Sequence, residues 1–206
     1  MPADFARPGT NRGIAMPSPR RRSVVYREVR HRIRDGDLLL FRRRAWIAAL
    51  GRGVHSHAAK AAWWDGDLFC LEVRAWHGGR AVTLSSQVRR YPGQIDVFEV
   101  NPEDRWPQYD RRGAVRYMRR LAGCDYGYGR LALVGLRHLP VVRMFAGIES
   151  DDRLGNRRPP ICSQACALAD RLGGGVDPVP FLADRVTEPA DLARSPFYRY
   201  QFTLVP

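Results

Sequence analysis

The dipeptide Asp65-Gly66 constrains this chain more than any other feature. Strand-like runs flank it, residues 57–64 (His57-Ala-Ala-Lys-Ala-Ala-Trp-Trp) and residues 68–75 (Leu68-Phe-Cys-Leu-Glu-Val-Arg-Ala). Asp-Gly between two such runs signals a two-residue hairpin, because that turn needs positive φ at both central positions. With those residues as the loop, Trp64 falls opposite Asp67 and Glu72 opposite Ala59. Side chains alternate with period two, so Ala59 and His57 share a face. The register therefore predicts that His57 and Glu72 are diagonal neighbours within side-chain reach. His55 and Cys70 share that face, and His77 takes the other. A single bulge would reverse the assignment.

The remaining segments read as an α+β domain: helices packed on a mainly antiparallel sheet. Val25, Val29 and Ile33 recur at helical spacing within residues 22–34. Asp35-Gly36-Asp37 ends that helix, and Leu38–Phe41 reads as a buried strand. A short strand is expected near residues 81–84 and another over residues 94–100. Residues 104–121 carry Trp106, Tyr109, Tyr117, Met118 and Leu121 near one helical face. Residues 131–145 read as a buried helix, residues 149–160 as a loop and residues 161–172 as a helix stopped by Gly173-Gly174-Gly175. The alternation over residues 198–204 marks a half-buried strand. Residues 1–20 are rich in Pro, Gly, Arg and Ala without periodicity and are expected to be disordered, leaving one domain over residues 21–206.

The net charge is +13, and 33 of the 34 basic residues are arginine; Lys60 is the exception. Such charge suits an anionic surface, cell wall or lipid. The arginines are spread along the chain without an interleaved aromatic stripe, which argues against specific nucleic-acid binding. The longest apolar stretch is broken by Arg137, His138 and Pro140, short of the ~18 residues a membrane span needs. No apolar run follows Arg20–Arg22, so no secretory signal is read; cytoplasm is the default, and export without a signal is compatible. The four cysteines, at positions 70, 124, 162 and 166, form no CxxC pair or common zinc spacing, so neither metal nor cofactor is expected. No oligomeric state is readable.

Cys162 stands where a helix should begin, after Pro159 and Pro160. A helix N-terminus carries about half a positive charge and lowers a thiol's pKa from roughly 8.5. An adjacent imidazole lowers it further, and a carboxylate fixes that ring's tautomer. Cys162, His57 and Glu72 are thus a candidate nucleophile, base and orienting acid, with the Cys162 backbone N–H free to help stabilise an oxyanion. The bland alternatives are real: cysteine is often a small buried hydrophobe, Cys166 lies one turn on, and His55 is a rival base. His31 and His138 lie in helical stretches as ordinary surface or core residues. Tyr126 and Tyr128, in a Gly-rich turn, are candidate substrate-lining residues.

At these positions the sequence resembles the permuted papain-like cysteine hydrolases, the YiiX-like group related to NlpC-type peptidases. Gly36–Phe41 resembles the entry strand, Ser56–Ala59 the strand holding the base, Ile161–Gln164 the nucleophile segment, and Thr187–Ser195 the phrase before the last strand. The base precedes the nucleophile, as a circular permutation of papain requires. The resemblance spans residues 35–204 and implies a papain-like fold with Cys162, His57 and Glu72 as its triad. It implies hydrolysis of an amide, for example in cell-wall peptide, through a thioester. Related families move acyl chains on lipids, so an acyl substrate is the alternative, and a basic binding module without catalysis is the third reading. The sequence departs from the resemblance at Ala165-Cys166 and in the Arg-rich stretch 42–55.

Overall fold

The computed structural model describes residues 21–42, 53–125 and 160–206. The expectations for residues 1–20, Tyr126, Tyr128, the helix over 131–145 and most of the loop over 149–160 lie outside those residues. The strands are β1 (Ser23–Val25), β2 (Leu38–Phe41), β3 (His57–Trp64), β4 (Asp67–Arg74), β5 (Gly78–Thr83), β6 (Ile95–Val100) and β7 (Tyr198–Val205). The described α-helices are α1 (Tyr26–Val29), α2 (Leu84–Arg90), α3 (Arg111–Arg120), α4 (Cys162–Leu168) and α5 (Pro189–Arg194).

All seven strands join one sheet in the order β1-β7-β6-β2-β3-β4-β5. Neighbours are antiparallel except β1 and β7, which run parallel. The fold is α+β, as the sequence predicts. β2 is central, and its Leu-Leu-Leu-Phe run is wholly buried because both faces of the sheet are covered. Leu39, Phe41, Ala59, Ala61 and Cys70 face one layer with Tyr26, Val29, Leu84 and Val88 from α1 and α2. Leu38, Leu40 and Ala58 face the other with Cys166, Ala167 and Leu192 from α4 and α5. Burying each leucine contributes roughly 1.5–3 kcal/mol. Ala62, Leu71 and Val73 extend that second face to Val115 and Met118 of α3 and to Ala165 and Ala169. Alanines on β3 let the helix approach closely.

The hairpin forms as expected: Asp65 has φ 48° and Gly66 φ 79°, and Trp64 pairs with Asp67. Other boundaries differ for physical reasons. Residues 22–34 are not one helix. The β-branched Val24 and Val25 pair with β7, leaving one α turn and a 3-10 turn at Arg30–Arg32. Val29 and Ile33 still reach the core. The helix expected from 104 begins at Arg111, after Asp110, which is extended at its N-cap (φ −94°, ψ 96°). The strand expected near 81–84 starts at Gly78, and Leu84 opens α2, which the sequence reading missed. α4 passes into a π turn over Ala169–Gly173, which ends within the glycines.

A buried ion pair ties the turn after α4 to β3. Lys60 Nζ donates to Asp170 Oδ2 at 2.6 Å and to the Gly36 carbonyl at 3.1 Å. Asp170 also accepts from Tyr109 at 2.6 Å and from Tyr198. The chain's only lysine is thus wholly buried. A compact ammonium with three rotatable donors suits this site better than a planar guanidinium, whose five donors would need more partners.

Candidate active site

The β3–β4 ladder runs from Trp64 and Asp67 to Lys60 and Leu71, then stops. The expected Ala59–Glu72 pairing does not form. Beyond that point β3 pairs only with β2, placing His57 opposite Phe41, and β4 pairs with β5, placing Glu72 opposite Arg80. His57 and Glu72 therefore sit where two hairpin strands part, still on one face because parity holds across the gap. His57 Nε2 lies 2.6 Å from Glu72 Oε2. Phe41 packs on the ring at 5.2 Å between centroids.

Glu72 is buried, with 1% of its surface exposed. Its second oxygen, Oε1, accepts from Arg80 Nε at 2.8 Å and Arg80 Nη2 at 2.6 Å. Arg74 Nη1 stands 3.6 Å away. Burial pushes this carboxyl's pKa up, but the hydrogen bond and charge of His57, with Arg80 and Arg74, outweigh it and bring it down to about 2. Glu72 is therefore held as a carboxylate against the imidazole.

Cys162 is the first residue of α4; Ile161 before it is extended (φ −90°, ψ 170°). Its sulfur lies beside the His57 ring and the backbone of Ala58 and Ser163, which favour its ionised form. Nε2 of His57 is engaged by Glu72, so Nδ1 is the nitrogen left for the sulfur. Burial raises the thiol's pKa; the His57 charge and these hydrogen bonds overcome that and lower it. Burial likewise pushes His57 down, while the Cys162 thiolate and Glu72 lift it to about 9. The two shifts run in opposite directions, each favouring the charged form of its group.

The other thiols go the opposite way. Burial pushes Cys70, Cys166 and Cys124 up. His55, the rival base, is turned to a different carboxylate, with Nε2 2.9 Å from Asp96 Oδ2. His77 is exposed at the β4–β5 turn and bonds the Ala75 carbonyl at 3.1 Å; His31 is also exposed. The sequence reading missed Arg80 and Arg74. Treating residues 75–77 as a three-residue hairpin loop would have put Arg80 directly opposite Glu72.

The sheet order and its two covered faces define an α+β protein. Among solved structures it is similar to the crystal structure of the metalloprotein yiiX from Escherichia coli O157:H7, at 12% identity and TM-score 0.56, over 84% of this chain and 99% of that one. At this identity the likeness is one of fold. No protein-family model and no curated protein matches the chain. Among the described residues no three His, Cys, Asp or Glu side chains are grouped to hold a metal, and both oxygens of Glu72 are engaged by His57 and Arg80. These residues do not fit a metal site.

Proposed function

We propose that this protein is a cysteine hydrolase of the permuted papain-like type, acting on an amide through a thioester. The observation that carries the reading is the isolation of one thiol. Of four cysteines, only Cys162 has its pKa lowered, and the lowering comes from an imidazole that a buried carboxylate holds. In this reading the Cys162 thiolate attacks the carbonyl carbon. The carbon–nitrogen bond then breaks as His57 Nδ1 gives its proton to the departing amine, leaving a thioester on Cys162. Water attacks the thioester, His57 takes its proton, and the carbon–sulfur bond breaks to release the acid and restore the thiolate. Glu72 keeps Nε2–H pointed away from the sulfur throughout.

The test is alkylation with iodoacetamide across pH, read at each cysteine by peptide mass spectrometry. Cys162 should react well below the range of an ordinary thiol, whose pKa is about 8.5, and at least ~30-fold faster at pH 6 than Cys70, Cys124 or Cys166. Acetylation by p-nitrophenyl acetate should place one acetyl group per chain, on Cys162, which water then removes, and it should vanish in Cys162→Ala. Labelling of Cys162 no faster than that of the other three would sink the reading.

A further inference from the structure

Arg80 lies directly across the β4–β5 ladder from Glu72. Its hold is unusual in one respect. An arginine commonly grips both oxygens of a carboxylate in parallel. Here Nε and Nη2 both converge on Oε1, at 2.8 and 2.6 Å, leaving Oε2 to His57. The start of β5 is fixed by the turn after α3. Gly79 N–H donates to the Cys124 carbonyl, and Gly123 N–H to the Gly79 carbonyl, each at 2.8 Å. A Cβ at Gly79 would come within 1.7 Å of the Leu121 carbonyl oxygen, so only glycine allows this approach.

We propose that Arg80 is a positioning residue of the cluster: it fixes Glu72 Oε2 on His57 and keeps that carboxylate ionised while the imidazole gives up its proton. This rests on the reading of Cys162 as nucleophile. The physical need arises within the reaction. When His57 is charged, Glu72 is paired. Once His57 has passed its proton to a leaving group, Glu72 would be a buried anion facing a neutral ring. An unpaired buried carboxylate is costly, and the usual relief is protonation. Glu72 would then draw a proton from the ring or hold the ring charged, and either slows the next transfer. A guanidinium stays charged at every pH a protein survives, so Arg80 removes that cost.

The groups facing the cluster come from four elements: His57 on β3; Cys70, Glu72 and Arg74 on β4; Arg80 on β5; and Cys162 with Cys166 on α4. Arg74 is directed partly elsewhere: its Nη2 bonds the Tyr91 hydroxyl at 2.6 Å, and its Nη1 has no hydrogen bond among the described residues. Arg80 is the cation that hydrogen-bonds Glu72 through two nitrogens.

The experiment uses the full chain and two variants. Arg80→Gln removes the charge and keeps one N–H donor for Oε1. Loss of a nearby cation should raise the iodoacetamide midpoint of Cys162 by roughly half a pH unit or more. Arg80→Lys keeps the charge but cannot hold one oxygen from two nitrogens. Its midpoint should stay at the wild-type value, while loss of the acetyl group from Cys162 after p-nitrophenyl acetate slows about 3- to 10-fold. A lower melting temperature with an unmoved midpoint in Arg80→Gln would make Arg80 a brace and overturn the assignment. Should Arg80→Gln not fold, wild-type deacetylation in Arg80→Lys would overturn it instead. An ordinary midpoint in the wild type overturns both this assignment and the nucleophile reading; a low wild-type midpoint that neither variant disturbs overturns this assignment alone.

Discussion

Glu72 and Asp170 are both buried carboxylates held by a basic residue, yet they differ in where their hydrogen bonds lead. Asp170 accepts from Lys60, Tyr109 and Tyr198, and Lys60 also bonds the Gly36 carbonyl. The tyrosine hydroxyls and the ammonium end on it, and the cluster closes on itself between β3, β7 and the turn after α4. Glu72 accepts from Arg80 and from His57, and the same imidazole interacts with the Cys162 thiol. The first cluster holds elements together. The second joins a carboxylate to an imidazole whose neighbour is a thiol. Burial of an acid says nothing about its role; the free end of its last partner does.

The largest expected effect separates the two clusters. Lys60→Met leaves Asp170 buried without its cation and should lower the unfolding free energy by about 3–5 kcal/mol in a denaturant titration. The alkylation midpoint of Cys162 should not move while the protein is folded. A shifted midpoint would show that the clusters are one system.

Next comes the imidazole. In His57→Gln the thiol loses its counter-charge, and Cys162 alkylation at pH 6 should fall by about two orders of magnitude. His55→Gln removes the other buried carboxylate-paired histidine, at Asp96, and should leave that rate within about twofold. Equal effects of the two changes would dissolve the distinction between them.

A smaller effect is expected at the carboxylate. Glu72→Gln keeps a hydrogen-bond acceptor but removes the charge that helps lift His57 to about 9. The ring should then lose its proton at lower pH, so the alkaline limb of Cys162 acylation moves down, with a rate loss of roughly tenfold.

The smallest is a linkage effect on stability. The Glu72 pKa falls from 4.5 to about 2 on folding, so its contribution is present above 4.5 and lost as pH falls through about 2. Glu72→Gln should therefore flatten the fall in melting temperature between those values relative to wild type.

Much of the fold was legible before any coordinates. The Asp65-Gly66 turn fixed which residues of β3 and β4 share a face, since side-chain parity is strict. The Leu38–Phe41 run declared a strand covered on both sides. Less legible was anything set by pairing across long sequence distance. Val25 shares a helical spacing with Val29 and Ile33, and only the neighbouring β7 makes it part of a strand. Leu84–Arg90 lacks a strong cap signal, and its Leu84 and Val88 are buried by the sheet beneath. The resemblance brought Cys162 beside the hairpin; nothing in local spacing could, because residues 57 and 162 meet only when α4 packs against β3.

Sequence by itself determined the face that His57 and Glu72 occupy, the thiol at the head of a helix, and a single lysine among 33 arginines. Tertiary structure decided where the β3–β4 ladder ends, which carboxylate each histidine takes, and which cations compensate those carboxylates. The physical reason is range. Turn dihedrals and side-chain alternation act over a few residues and survive in any context. Burial, and the charges that answer it, exist only once distant segments have excluded water together.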